Sequence, residues 1–132
     1  MGNIFNAITL IVIFIGGGLG SVLRYIGSIL GSKLFPTTNF PVGTLCVNLI
    51  GCLLIGYFTS IFLKEEDLRL RYFFITGFCG GFTTFSTFSM ENYQLYLHGN
   101  YGYLALYITL SILIGIGAVF LGLYLGKGMF NV

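Results

Sequence analysis

GFCGGFTTFSTFSMEN, residues 77–92, is the stretch on which the fold turns. Its phenylalanines suit an apolar setting, and its one charge, Glu91, comes near its end. Yet Gly80 and Gly81 followed by Thr83 and Thr84 have weak helix propensity. Two structures satisfy that pattern. Either the helix is continuous and the glycines permit close packing, or it breaks and frees backbone carbonyls and amides. At membrane depth a break is tolerated only where protein or a water-filled cavity surrounds it. Interrupted spans also mark ion and substrate sites. Liberated carbonyls need a partner, and a bound cation is one physical solution.

The rest of the chain supplies the apolar setting. Of 132 residues, 56% are hydrophobic, 17% aromatic and only 8% charged, with a mean hydropathy of +0.94. Soluble domains carry about a quarter charged residues, so this chain lacks the polar surface to cover a globule in water. Net charge is +2 and the basic residues form no patch, which argues against a nucleic-acid partner;. Cys46, Cys52 and Cys79 match no zinc spacing, and their odd number does not make a disulfide framework. They read as small buried hydrophobes.

Four uncharged runs stand out: Ile4 to Leu23, Phe40 to Leu63, Tyr72 to Met90 and Tyr101 to Gly126. Each reaches or approaches the roughly 20 residues that cross a hydrocarbon core. With their flanks they predict spans at about 4–31, 40–63, 71–96 and 101–126 in a single domain over 1–132. The first run lacks a basic leader and a good cleavage site, so it reads as a span rather than a signal peptide. Short connections join the runs: GSKLFPTTNFP, KEEDLRLR and ENYQLYLHGN. Lys64, Arg69, Arg71 and Lys127 fall on one side of the membrane and Arg24 and Lys33 on the other. That bias is weak for setting orientation. Glycine pairs at four-residue spacing, Gly16 and Gly20, Gly27 and Gly31, Gly77 and Gly81, Gly122 and Gly126, let helix backbones approach closely;. Packing within one bundle explains them. Four short spans nevertheless make a thin bundle with no room for an aqueous path, so transport would call for a dimer.

The informative side chains are those that are costly in lipid. Asn48 lies mid-way along the second span, and an unpaired amide there costs a few kcal/mol. It acts either as interhelical glue or as a donor to something passing. Thr44 lies one turn earlier on the same face. Tyr107 and Ser111 share a face of the fourth span, with Gly115 a turn further. They line a polar track, or Ser111 bonds its own helix and Tyr107 packs. Phe85 and Phe88 also share a face. Such rings usually meet lipid or core, but their edges are positive and attract an anion without holding it strongly. Arg24 ends the first uncharged run and can snorkel. Glu91 is expected to form an ion pair or a helix cap. His98, alone in a loop, makes no metal site.

Together GGGLGSVLRY (16–25), GTLCVNLIGCLLIG (43–56) and GFCGGFTTFSTFSMEN, in that order, resemble the signature blocks of the Fluc/CrcB fluoride channel family over essentially the whole chain. The resemblance implies an all-α integral membrane protein of four transmembrane helices, with the third broken mid-membrane. It implies an antiparallel, dual-topology homodimer in the cytoplasmic membrane, with two separate pores. A structural sodium ion is implied at the dimer centre, on the backbone carbonyls of Gly80 and Thr83. Asn48, Phe85, Phe88, Tyr107 and Ser111, with Thr84 and Thr87, match pore positions. Gly115 stands where some relatives carry serine. Arg24 and Glu91 are carried over as structural groups or as groups where an anion comes in.

The implied activity is passive, selective export of fluoride by a channel rather than an enzyme. No nucleophile, base and orienting group occur together. The alternative is a small four-span, proton-coupled multidrug or guanidinium exporter, which needs an ionisable carboxyl deep in a span. A third reading is an accessory packing subunit.

Overall fold

The computed structural model describes residues 5–130, and every regular element among them is helical. Helix α1 spans Ala7–Leu34 and starts beneath Asn6, whose side chain accepts the Ile8 amide at 3.0 Å. Such a cap satisfies a donor that the first turn leaves without a partner. The predicted start of this span, residue 4, lies outside the described residues. Arg24, which ends the first uncharged run, lies well inside α1. Arginine is a good helix former, so a charge that interrupts an apolar run need not interrupt the helix.

Pro41 stands at the cap of α2 (Val42–Phe62). The KEEDLRLR connection turns into helix at α3 (Leu68–Arg71), where Asp67 accepts the Arg69 amide at 3.0 Å. Without interruption α3 passes into a π-helical stretch (Tyr72–Cys79) and then α4 (Gly80–Phe82). There the helix ends. Thr83 (φ −83°, ψ 159°) and Thr84 (φ −149°, ψ 127°) are extended, and α5 (Phe85–Leu97) starts afresh with Thr84 as its cap. The anomaly in the opening stretch is therefore a true interruption.

The ENYQLYLHGN segment, read as the link between the third and fourth runs with the third span extended to about 96, is helical through Leu97. Only His98–Asn100 turn the chain. Gly99 adopts φ +73°, the Asn100 amide bonds the Leu95 carbonyl at 2.9 Å, and the Gly99 amide bonds Tyr96 at 3.1 Å. This left-handed closure favours glycine. Helix α6 (Tyr101–Phe130) follows.

Two packed pairs organise the molecule: α2 against α6, and α1 against the π-helical stretch and α4. Glycine sets both distances. A Cβ at Gly20 would collide with the backbone of Phe78 and Phe82, and one at Gly122 with the backbone of Leu53 and Tyr57. The recurring glycine pairs thus serve packing within one chain. Among the described apolar side chains only Val47, Cys79, Phe82, Leu95 and Tyr107 are buried, while long apolar faces of α1 and α6 point outward. Three helices, Ala7–Leu34, Val42–Phe62 and Tyr101–Gly128, are long and apolar enough to cross a membrane. A helix apolar all round belongs in a core or in lipid, and here little core exists to receive one.

Candidate functional site

The site grows from the break. In a continuous helix the Thr84 amide would bond the Gly80 carbonyl and the Thr87 amide would bond Thr83. Both amides go elsewhere. Thr84 N–H donates to Asn48 Oδ1 at 2.8 Å, and Thr87 N–H donates to Thr84 Oγ1 at 3.2 Å. The carbonyls of Gly80 and Thr83 therefore lose their helical partners. The Gly81 carbonyl is recaptured by α1, accepting from Arg24 Nε at 3.1 Å and from Ser21 Oγ at 3.5 Å. Arg24 thus turns into the protein and closes a helix end. Cys79 O accepts both the amide and the hydroxyl of Thr83, at 3.0 and 2.9 Å.

Helix α2 holds the extended residues in place. Asn48 Nδ2 donates to the Thr84 carbonyl at 3.0 Å while Oδ1 takes the Thr84 amide. The side-chain amide thereby mimics a neighbouring strand. One turn on, Gly51 receives the Thr83 methyl group, and a Cβ at Gly51 would collide with it. Thr84 also bonds the Thr87 hydroxyl at 3.2 Å. The hydroxyls of Thr84 and Thr87 are therefore engaged in starting α5.

Beside the break lies a cleft of about 550 Å³. Asn48, Thr83, Thr84, Phe85, Phe88 and Ser111 all line it, so the structure brings most of the sequence-predicted residues to one place. The Ser111 hydroxyl is buried and has no hydrogen-bond partner. It does not bond its own helix, one of the two readings that the sequence left open. Phe85 and Phe88 lie with centroids 5.8 Å apart, and Phe85 is 78% exposed. Phe88 meets the Tyr107 ring edge-on at 4.9 Å and 76°. An asparagine retains a second amide hydrogen after giving one away. The cleft thus combines that amide, an uncommitted hydroxyl and two phenyl rings.

Tyr107, wholly buried, does not contribute a free donor. Its hydroxyl donates to Glu91 Oε2 at 2.7 Å, and Thr44 donates to Glu91 Oε1 at 2.6 Å. Glu91 was expected as an ion pair or cap. Instead it accepts two hydroxyl bonds between α2, α5 and α6, and it takes part in no ion pair among the described residues. Sequence reasoning missed this junction and the seat at Gly51. The spacing of Thr44, Asn48 and Gly51 places all three on one α2 face, which was the available signal. Cys46 is exposed, against the expectation that all three cysteines are buried. Among the described residues no cluster of three His, Cys, Asp or Glu side chains could hold a metal.

Comparison with known proteins gives a consistent picture. Residues 11–123 match the family described as CrcB-like protein, Camphor Resistance (CrcB). A protein of Azobacteroides pseudotrichonymphae named Fluoride-specific ion channel FluC is 52% identical over 110 residues, covering 82% of this chain and 87% of the relative. A protein of the same name from Bacteroides fragilis is 50% identical over 125 residues, covering 89% and 95%. Another from Agrobacterium fabrum is 40% identical over 125 residues, covering 93% and 99%.

Proposed function

The chain belongs to the CrcB family, and from that membership we propose that it is a fluoride-selective channel through which fluoride leaves the cell passively, down its electrochemical gradient. The observation that carries the reading is the partnerless Ser111 hydroxyl in the cleft shared with Asn48, Phe85 and Phe88. Fluoride is small and strongly hydrated, so a pore must replace the water it loses. Ser111 and the second amide hydrogen of Asn48 supply donors, and the rims of Phe85 and Phe88 supply weaker positive edges. Weak sites favour release, as conduction requires. Tyr107 acts at one remove, holding Glu91 and bracing Phe88.

The working unit is an antiparallel dimer in the cytoplasmic membrane, with one pore for each copy. Leu68–Phe82 and Phe85–Leu97 are each roughly 20 Å long at 1.5 Å per residue, too short to cross alone. Joined through the break, they form a fourth crossing. Gly80 is exposed on the single chain, where a second copy can reach it. The carbonyls of Gly80 and Thr83, relieved of their helical amides, fit a hard cation that prefers oxygen, and they would hold sodium. Bound there, sodium would tie the copies together and add positive potential near the pores.

A proton-coupled exporter is the second reading. It draws support from Glu91, a carboxyl group held within the helix packing;. One experiment separates the two. The purified chain is reconstituted in liposomes and efflux is followed with a fluoride electrode. Fluoride flux driven by voltage alone, with chloride failing, is expected. Flux that required a proton gradient, or equal chloride flux, would overturn the channel. Phe85→Ile and Phe88→Ile are each expected to stop flux, and normal conduction by both would remove the ring-edge account.

A further inference from the structure

Glu91 is a charge without a counter-charge. Two hydroxyls hold it, one on each oxygen, and it takes part in no ion pair among the described residues. A carboxylate has about four acceptor sites, so some remain after Thr44 and Tyr107 have donated. The first turn of α2, where Thr44 lies, adds only the partial positive charge of a helix end;. Two cavities flank the carboxylate, and Pro41 and Glu91 line both. Thr44 lines the smaller, of about 210 Å³. Because Thr44 donates to Glu91 Oε1 at 2.6 Å, that cavity reaches the carboxylate itself. The larger, of about 330 Å³, is rimmed by the α1–α2 connection at Asn39, by α5 and by the His98–Asn100 turn. Small-molecule sites start at about 300 Å³. Glu91, Gln94, Leu95 and His98 recur at helical spacing, so one face of α5 and its cap lines the larger cavity over roughly 10 Å. Among the described residues the side-chain amides of Asn39, Gln94 and Asn100 make no hydrogen bond.

We propose that the space around Glu91 binds a small organic cation of the alkylguanidinium class, its guanidinium on the carboxylate and its tail in the larger cavity along Leu95 and Pro41. A guanidinium pairs a carboxylate through two parallel N–H bonds, and it is more weakly hydrated than an ammonium. Its remaining N–H groups need acceptors, and the uncommitted amide oxygens of Asn39, Gln94 and Asn100 supply them. An anion would meet the Glu91 charge. A bare metal ion would find a single carboxylate, since no cluster of three metal-ligating side chains occurs among the described residues. Tyr107 links the site to the cleft, with its hydroxyl on Glu91 and its ring against Phe88. An occupied site would therefore alter fluoride passage. That consequence rests on the proposed function, whereas binding does not.

n-Butylguanidinium is titrated into the purified chain in detergent and followed by calorimetry, with n-butylurea as the uncharged counterpart of the same shape. Saturable binding of one guanidinium per chain is expected, and none of the urea. Glu91→Gln removes the charge and should weaken binding about tenfold or more. Gln94→Lys keeps Glu91 and sets a tethered cation three residues away on the same face, where it competes for the carboxylate. It should weaken binding about as much, and Gln94 is exposed, so the fold does not depend on it. If Glu91→Gln fails to elute as folded protein, Gln94→Lys decides. Equal binding of the urea, no saturable binding of the guanidinium, or undiminished binding in a folded variant overturns the site. Calorimetry in detergent reads no flux, so this result and the channel result fail independently.

Discussion

Asn48 holds Thr84 by both of its backbone groups, giving a hydrogen to the carbonyl at 3.0 Å and taking the amide at 2.8 Å. One side chain thereby replaces the amide bond that the helix forfeits at its break and adds a second bond to the carbonyl that caps α5;. Asn48→Ala leaves the Thr84 amide unpaired in an apolar setting. An orphaned group costs about 1–3 kcal/mol, and the variant should lose stability of that order. Denaturation in detergent measures this, and an unchanged transition would show that the clamp carries no stability.

The Gly51 contact predicts a rescue. Gly51→Ala pushes a Cβ into the Thr83 methyl group, and overpacking of this kind costs about 1–3 kcal/mol. Thr83→Ser removes that methyl while keeping the hydroxyl that bonds Cys79. The double variant should regain most of the lost stability. If Thr83→Ser and Gly51→Ala simply add, the two residues are not coupled.

Glu91 joins three helices through the hydroxyls of Thr44 and Tyr107. Tyr107→Phe keeps the ring against Phe88 and removes only the bond. A double-mutant cycle of Tyr107→Phe with Glu91→Gln should therefore give a coupling of about 1 kcal/mol or more. A Tyr107→Phe variant of full stability, with no coupling, would contradict the junction.

Gly115 behaves differently from the glycines that touch backbone. Its added Cβ meets only the Cys52 sulfur, at an ordinary contact distance of 3.6 Å. Gly115→Ser should fold with stability within about 0.5 kcal/mol of the parent. Gly122→Ser, against the backbone of Leu53 and Tyr57, should fail to assemble. Comparison of their elution profiles after detergent extraction checks both.

Much of the architecture was legible because lipid permits few solutions. Apolar length located α1, α2 and α6, and four-residue glycine spacing marked the faces that pack. Weak propensity at Gly80–Thr84 pointed to an interruption without deciding it. Boundaries read from charge were less reliable. Arg24 ended an apolar run but not its helix, and Glu91 ended another inside a helix that runs through Leu97. In both cases the chain found polar partners inside the bundle, Gly81 for Arg24 and two hydroxyls for Glu91, so neither charge had to mark an end.

By itself the sequence determined that this chain is helical and apolar on its outside, since composition and periodicity depend on neighbours along the chain. It also placed Asn48, Phe85, Phe88 and Ser111 as candidates. Which donors are spent and which are left was decided by the tertiary structure alone. Tyr107 and Thr44 donate their hydroxyl hydrogen bonds to Glu91, one amide hydrogen of Asn48 bonds Thr84, and the Ser111 hydroxyl is left without a partner. Hydrogen bonds saturate, and their partners lie tens of residues apart along the chain, so only the folded arrangement of helices can allot them.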